Sequence, residues 1–310
     1  MESQKPKIAM YVKRPFGEKL NASFDFLKEN WKLLLKFTTY LLLPLCLIQA
    51  LSLNGLMSGA LSISAIASST AMAASSSSLI AFGSYYGLYM FLYLIGIILL
   101  TSLVYGLIRT YNEREERLQG VTLGMLKPRL FRNIKRLLLM TGACMLLVLF
   151  VGIFVGLLVA LTPFTLFLTI PFIIAFSVPL ALLAPIYLFE DITLMEAFKK
   201  TFRLGFATWG GVFLILIVMG IIASVLQGIV SIPWYVIYIV KMIFTMSDGG
   251  ATSSSVGLNF AQYLFSILML YGSYLSAIFS IVGLVYQYGH ASEVVDSITV
   301  ESDIDNFDKL

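Results

Sequence analysis

The chain has a single histidine, two cysteines and few charges: only 12% of its 310 residues are Asp, Glu, Lys or Arg, so chemistry that needs clustered polar groups has little to draw on. A zinc site takes three or four converging His, Cys or carboxylate ligands, and no such spacing is present. A Ser/His hydrolase would have to use His290, which stands at the end of an apolar block, and no Gly-x-Ser-x-Gly turn occurs anywhere. No pair of aspartates lies within an apolar block, as an intramembrane aspartyl protease would require. The glycines at 83–87 and 152–156 lack the Gly-Lys-Ser/Thr of a phosphate loop. Cys46 and Cys144 both sit in apolar blocks, where they read as small hydrophobes and not as a disulfide framework. No polar stretch exceeds about 30 residues, whereas a separate soluble domain typically takes more than about 50. The first apolar block is too long for the core of a signal peptide and is expected to remain as an anchor. A non-enzymatic protein with no cofactor, no metal and no nucleic-acid partner is the expectation.

What the chain does have is six long apolar blocks, at about 33–53, 80–107, 137–161, 164–189, 209–232 and 259–288. Each is near the roughly 20 residues that cross a bilayer. The expected fold class is therefore all-α: a polytopic transmembrane helical bundle, with residues 1–288 as one membrane domain. Of 21 Lys and Arg, 19 fall before block one, between blocks two and three, between blocks four and five, or after block six. Cytoplasmic loops keep such an excess, so both termini are expected in the cytoplasm of a bacterial inner membrane. Lys36, one turn inside block one, can snorkel to the same surface. Residues 289–310 carry six acidic residues against one lysine and read as a disordered acidic tail.

Phe16, Leu20, Phe24, Leu27 and Trp31 form one helical stripe before the first span. Adding 178 to each position gives Leu194, Phe198, Phe202, Gly205 and Trp209 before the fifth span, and the same offset pairs Gln49 with Gln227. A weaker copy, Leu123, Lys127, Phe131, Ile134 and Leu138, precedes the third span. The pattern predicts three hairpins, each led by a cytoplasmic interfacial amphipathic helix, and it makes Gln49 and Gln227 paired polar positions to be placed alike. The outer stretches 54–79 and 233–258, rich in Ser, Ala and Gly, read as linkers, with a second, interfacial helix over 233–246. Pro171, Pro179 and Pro185 predict a kinked, protein-buried fourth span. Small residues four apart, Gly152 and Gly156, Gly220, Ser224 and Gly228, Gly272, Ser276 and Ser280, mark candidate packing faces.

Thr193 and Glu196, three apart, form a capping box that starts the third amphipathic stretch. The run from Pro185 through Glu190, Asp191 and this box to Trp209 resembles the bacterial YciC-like and glycerophosphodiester-phosphodiesterase membrane-domain families. Those families share a proline, a short aliphatic run, an acidic residue and an amphipathic helix leading to Trp. The resemblance covers spans three to six well and the N-terminal third loosely. It implies a six-span bacterial membrane protein and carries over no catalytic residue. The soluble phosphodiesterase domain that sometimes accompanies such membrane domains has no counterpart here, so that activity is not inferred.

With no Asp, Glu or Arg near a span centre, ion-coupled transport is disfavoured. Two readings remain: an accessory protein that organises lipids or partner proteins, and an uncoupled route for an apolar or lipid-like substrate. The residues that favour the first are Arg129, Arg132, Lys135 and Arg136, a basic cluster beside span three placed to contact anionic lipid headgroups.

Overall fold

The computed structural model describes residues 6–67, 75–247 and 256–299. Their regular structure is helical: α1 (Phe16–Ala67), α2 (Ser75–Glu113), α3 (Leu123–Leu161), α4 (Leu166–Leu180), α5 (Leu183–Phe189), α6 (Leu194–Ala207), α7 (Trp209–Ser247) and α8 (Val256–Val295), with a 3-10 turn at Pro163–Thr165. Six stretches, Phe16–Ala60, Leu79–Glu113, Leu123–Leu161, Pro163–Phe189, Trp209–Phe244 and Val256–Val295, are long and apolar enough to cross a bilayer. The chain is a multi-pass, all-α membrane protein.

Several boundaries differ from those read in the sequence, each for a local reason. The first and second amphipathic stretches do not stand apart from the spans that follow. Residues 18–43 contain no Gly or Pro to end a helix before the span, and α1 continues through Pro44 to a length of 52 residues. α3 likewise runs unbroken from its N-cap, Thr122, whose hydroxyl accepts from Met125 N. Only the third stretch is a separate helix, α6, closed at Thr208 just before Gly210 and Gly211. Most of the expected linkers are helical too: α1 continues to Ala67, and α7 passes through Pro233 to Ser247 in place of a second, interfacial helix. Residues 68–74 and 248–255 lie outside the described residues. At the far end, 289–295 belong to α8, with Ala291, Ser292 and Glu293 buried, so the expected disorder does not hold there. Residues 300–310 lie outside the described residues.

The chain divides into two compact units. The first comprises Met1–Leu34, Thr101–Ile221 and Phe279–Leu310. Its core is aromatic at one level, where Phe26 meets the edge of Tyr111 at 5.3 Å and lies 6.4 Å from Tyr286. Aliphatic side chains, among them Leu107, Leu126, Ile186, Leu204, Ile215 and Val282, fill the rest. The segment before α1 is pinned to α8: Arg14 N donates to His290 Nδ1 at 3.1 Å, and Gly289 lets the Met10 carbonyl come closer than any Cβ would permit. This contact assigns His290 the Nε2–H tautomer and gives the lone histidine a structural part.

The fourth span breaks instead of kinking. After Pro179 the chain leaves α4, makes a turn at Ala181 and Leu182, and resumes as α5 with Pro185 near its start. A proline at 179 removes the N–H that Ala175 O would have accepted one turn back. The Trp209 indole N–H fills that vacancy, donating to Ala175 O at 3.0 Å. α6 can approach α4 closely enough because residue 205 is glycine: a Cβ there would lie 2.6 Å from Pro179 Cβ. The first half of this span is not protein-buried as its prolines predicted, with Phe167 81% and Leu168 80% exposed, and burial begins only at Val178. Nor are the Gly152–Gly156 and Gly220–Gly228 faces packed, since nothing lies within 4 Å of a Cβ built at any of the four.

The second unit comprises Leu35–Leu100 and Ile222–Ile278. Buried Gln49 accepts from Tyr274 OH at 2.9 Å, and Tyr274 stacks on Tyr93 with ring centres 6.0 Å apart. Gly96 leaves room for the Tyr274 hydroxyl. Gly272, of the span-six small set, sits against Val230. Trp234 Nε1 donates to Ser266 Oγ at 2.9 Å, which satisfies the indole in an apolar setting.

Candidate functional site

The first unit gathers charge at one place, from the end of α2, the start of α3 and the turn between α5 and α6. The turn is short because Asp191 adopts a left-handed backbone conformation, φ 51°, which Asp tolerates better than most residues. Thr193 then caps α6, its N–H donating to Glu196 Oε2 at 3.0 Å and its hydroxyl accepting from Glu196 N at 3.3 Å. That arrangement is the expected capping box.

Turned this way, the Asp191 carboxylate meets three guanidiniums. Arg132 Nη2 bonds Oδ1, Arg109 Nη2 lies 3.4 Å from Oδ2, and Arg136 Nη1 lies 3.8 Å from Oδ1. Burial by itself would raise the Asp191 pKa, but Arg132 and Arg109 outweigh it and hold the carboxyl below its usual range. Glu113 is shared in the same manner, by Arg109 Nε at 3.0 Å and by Arg129, whose other Nη donates to Thr110 Oγ1 at 2.9 Å. Four guanidiniums thus surround two carboxylates, leaving the cluster two positive charges in excess. A cavity of about 120 Å³, roughly the volume of four waters, opens among Arg109, Arg129 and Arg132.

The four residues of the basic cluster read in the sequence are not equivalent. Arg136 is a structural tie: its Nη2 donates to Tyr187 O at 2.6 Å and Ile192 O at 2.7 Å, and its guanidinium lies 4.0 Å from the centre of the Tyr187 ring. Arg129 is half-exposed and paired, whereas Arg132 is 54% exposed despite its bond to Asp191. Lys135 is exposed and lies about 100° round the helix from Arg136 but only about 60° from Arg132, on the side turned away from Met140. Arg109, which completes the cluster, was missed by reading one gap at a time, since its partner Asp191 is 82 residues away.

Glu190, the neighbour of Asp191, turns to a second network. Its Oε1 accepts from Tyr288 OH at 2.7 Å, and Lys200 lies 2.7 Å from both Glu190 Oε2 and Asp296 Oδ2. Asp296 also holds Arg203 at 2.6 Å. Burial works against the Lys200 charge, yet these two carboxylates raise its pKa above the ordinary lysine value. Charges matched in this way hold α5, α6 and α8 together.

One buried cation has no counter-ion of this kind. Lys19, 3% exposed in the first turn of α1, donates to Gln287 Oε1 at 2.8 Å. Gly211 makes space for the pair, since a Cβ there would sit 3.0 Å from Gln287 Nε2. Lys19 lies off the Phe16–Trp31 stripe, and nothing in the sequence signals its burial.

Gln49 and Gln227 are not placed alike. Gln49 is fully buried, while Gln227 is exposed, because a Tyr274 hydroxyl is on hand only for the former. The paired-position expectation fails, and any site built on that pairing goes with it.

Beside the charged cluster, α3, α5 and α6 line an apolar groove of about 400 Å³. A larger cleft, about 670 Å³, opens under the segment before α1, but its four cationic and three acidic side chains nearly cancel. Among the described residues, no three His, Cys, Asp or Glu side chains are grouped to hold a metal ion. Compared with family models, with curated proteins and with solved structures, the chain matches none.

Proposed function

We propose that this is a non-enzymatic accessory protein of a bacterial cytoplasmic membrane, a six-span protein of the kind its 185–209 run resembles, with both termini and the arginine cluster at the cytoplasmic surface. Its role there is to hold acidic lipid against its basic face. The observation that carries this reading is the excess of guanidinium over carboxylate at the ends of α2 and α3. A juxtamembrane cation gains about 1 kcal/mol near anionic lipid, so uncompensated arginines here favour acidic headgroups over zwitterionic ones. The carboxylates serve poorly as general acids or bases, because paired guanidiniums keep them ionised. Orientation is tested by single cysteines in a cysteine-free background, placed at Lys127 and Asn259. The reading requires 127 to react only with reagent admitted to the cytosolic side and 259 only with reagent outside. The reverse pattern removes the cytoplasmic leaflet from the account.

A further inference from the structure

The groove beside the arginine cluster is lined by Met140, Cys144 and Leu147 of α3, Leu183 of α5, and Met195 and Phe198 of α6, with no polar side chain among its walls. About 400 Å³ would take roughly a dozen waters, yet water would find no partners there. On α3, Arg132, Arg136, Met140 and Cys144 follow one another at steps of four, so a single helical face passes from charge to hydrocarbon. From Arg136 to Leu147 that face runs for ~16 Å, about half of the ~30 Å hydrocarbon core and hence one leaflet. Arg136 ties the α5–α6 turn to α3 through two backbone carbonyls, which fixes the upper end of the groove before any ligand arrives. Arg132, two turns before Met140 on this face, uses Nη2 on Asp191 and remains half-exposed.

We propose that this groove is a site for one acidic glycerophospholipid, its acyl chain lying along Met140, Cys144 and Leu147 and its phosphate at Arg132. The inference rests on the reading that the basic face meets acidic lipid, and it adds a defined seat to that reading. Charge complementarity selects the occupant: the arginine cluster that precedes the groove along α3 has cationic excess, whereas the groove itself is uncharged, and an anion with a hydrocarbon tail matches both. Lys135 supplies an internal control, being equally cationic and a neighbour of Arg132 but about 140° round the helix from Met140 and so turned from the groove.

The test uses the full chain in nanodiscs containing phosphatidylglycerol with a photoreactive diazirine in its acyl chain, and adducts are mapped by mass spectrometry. Adducts are expected on 140–147 and 195–198, suppressed by unlabelled phosphatidylglycerol and not by phosphatidylcholine. Arg132→Gln should lower them about five-fold, the equivalent of about 1 kcal/mol for one cation beside anionic lipid. Lys135→Gln should leave them within two-fold of wild type. Ala143 also lines the groove, and Ala143→Phe, which fills it without altering charge, should abolish them while phosphatidylglycerol stays enriched around the protein; unchanged thermal unfolding verifies each variant. Enrichment that persists with adducts indifferent to Ala143→Phe, or with Arg132→Gln and Lys135→Gln acting alike, overturns the seat and leaves the broader reading standing. No enrichment of phosphatidylglycerol over phosphatidylcholine in wild type overturns both.

Discussion

Replacing Trp209 with Phe removes one hydrogen bond whose loss cannot be repaired locally. The acceptor, Ala175 O, lost its helical donor to Pro179 and receives the indole N–H at 3.0 Å instead. Phe keeps an aromatic ring to stack on Phe213, now 5.0 Å from the Trp ring, so most of the packing survives. What remains is a carbonyl stripped of its partner in a span, which costs about 1–3 kcal/mol and falls at the upper end where no water enters. A double-mutant cycle with Pro179 isolates the hydrogen bond from the packing. Pro179→Ala restores an N–H at 179 that can bond Ala175 O, so Trp209→Phe should cost less than half as much in the Pro179→Ala background. Denaturation in mixed micelles measures all four corners. A coupling below about 0.5 kcal/mol would mean that the two residues act independently and that the substitute-donor reasoning is wrong.

Two further predictions follow from the charged residues. Gln287→Leu should destabilise the protein by about 3 kcal/mol or more, because it leaves Lys19 buried without a partner, whereas Lys19→Met should cost less than about 1 kcal/mol or stabilise it; equal losses in thermal or denaturant unfolding would contradict this. Asp191→Asn preserves the left-handed turn but removes the charge that Arg132 and Arg109 hold. Since the folded Asp191 pKa lies below the unfolded value near 4, its stabilisation is present above that value and fades as pH falls through the lower, folded pKa. With Asp191 partly exposed, the asparagine variant should be less stable by about 1 kcal/mol at pH 7 and should converge with wild type as pH falls below about 4. A stability gap that stays constant down to pH 2 would assign the effect to something other than the ion pairs.

The spans were legible because twenty apolar residues in a row have few other uses, and Thr193 with Glu196 announced the start of α6 from three residues' spacing. Pro179 and Pro185 announced a kink where the structure has a break, and nothing in one sequence says that Trp209 would supply the missing donor from 34 residues away. The same limit hid the carboxylates that neutralise part of the basic cluster: Arg132 and Asp191 are 59 residues apart, and only the fold brings them together. Repeats of hydrophobic spacing proved a poor guide to side-chain surroundings, as Gln49 and Gln227 illustrate, because partners such as Tyr274 come from helices that do not repeat. The burial of Lys19 was hidden for a similar reason: it lies off the apolar stripe in sequence, yet α8 brings Gln287 against it.

The most direct test of the central claim is lipid selectivity of the purified protein when the most exposed cations of its basic face are removed. Arg129 and Arg136 are too deeply tied into the fold to serve, so the variant is Arg132→Gln with Lys135→Gln. Spin-labelled phosphatidylglycerol and phosphatidylcholine are compared in mixed bilayers at low and high salt. Wild type should prefer phosphatidylglycerol, lose much of that preference at 1 M salt, where the Debye length falls to about 3 Å, and lose it at low salt in the double variant. Equal association of the two lipids with wild type at low salt would contradict the account.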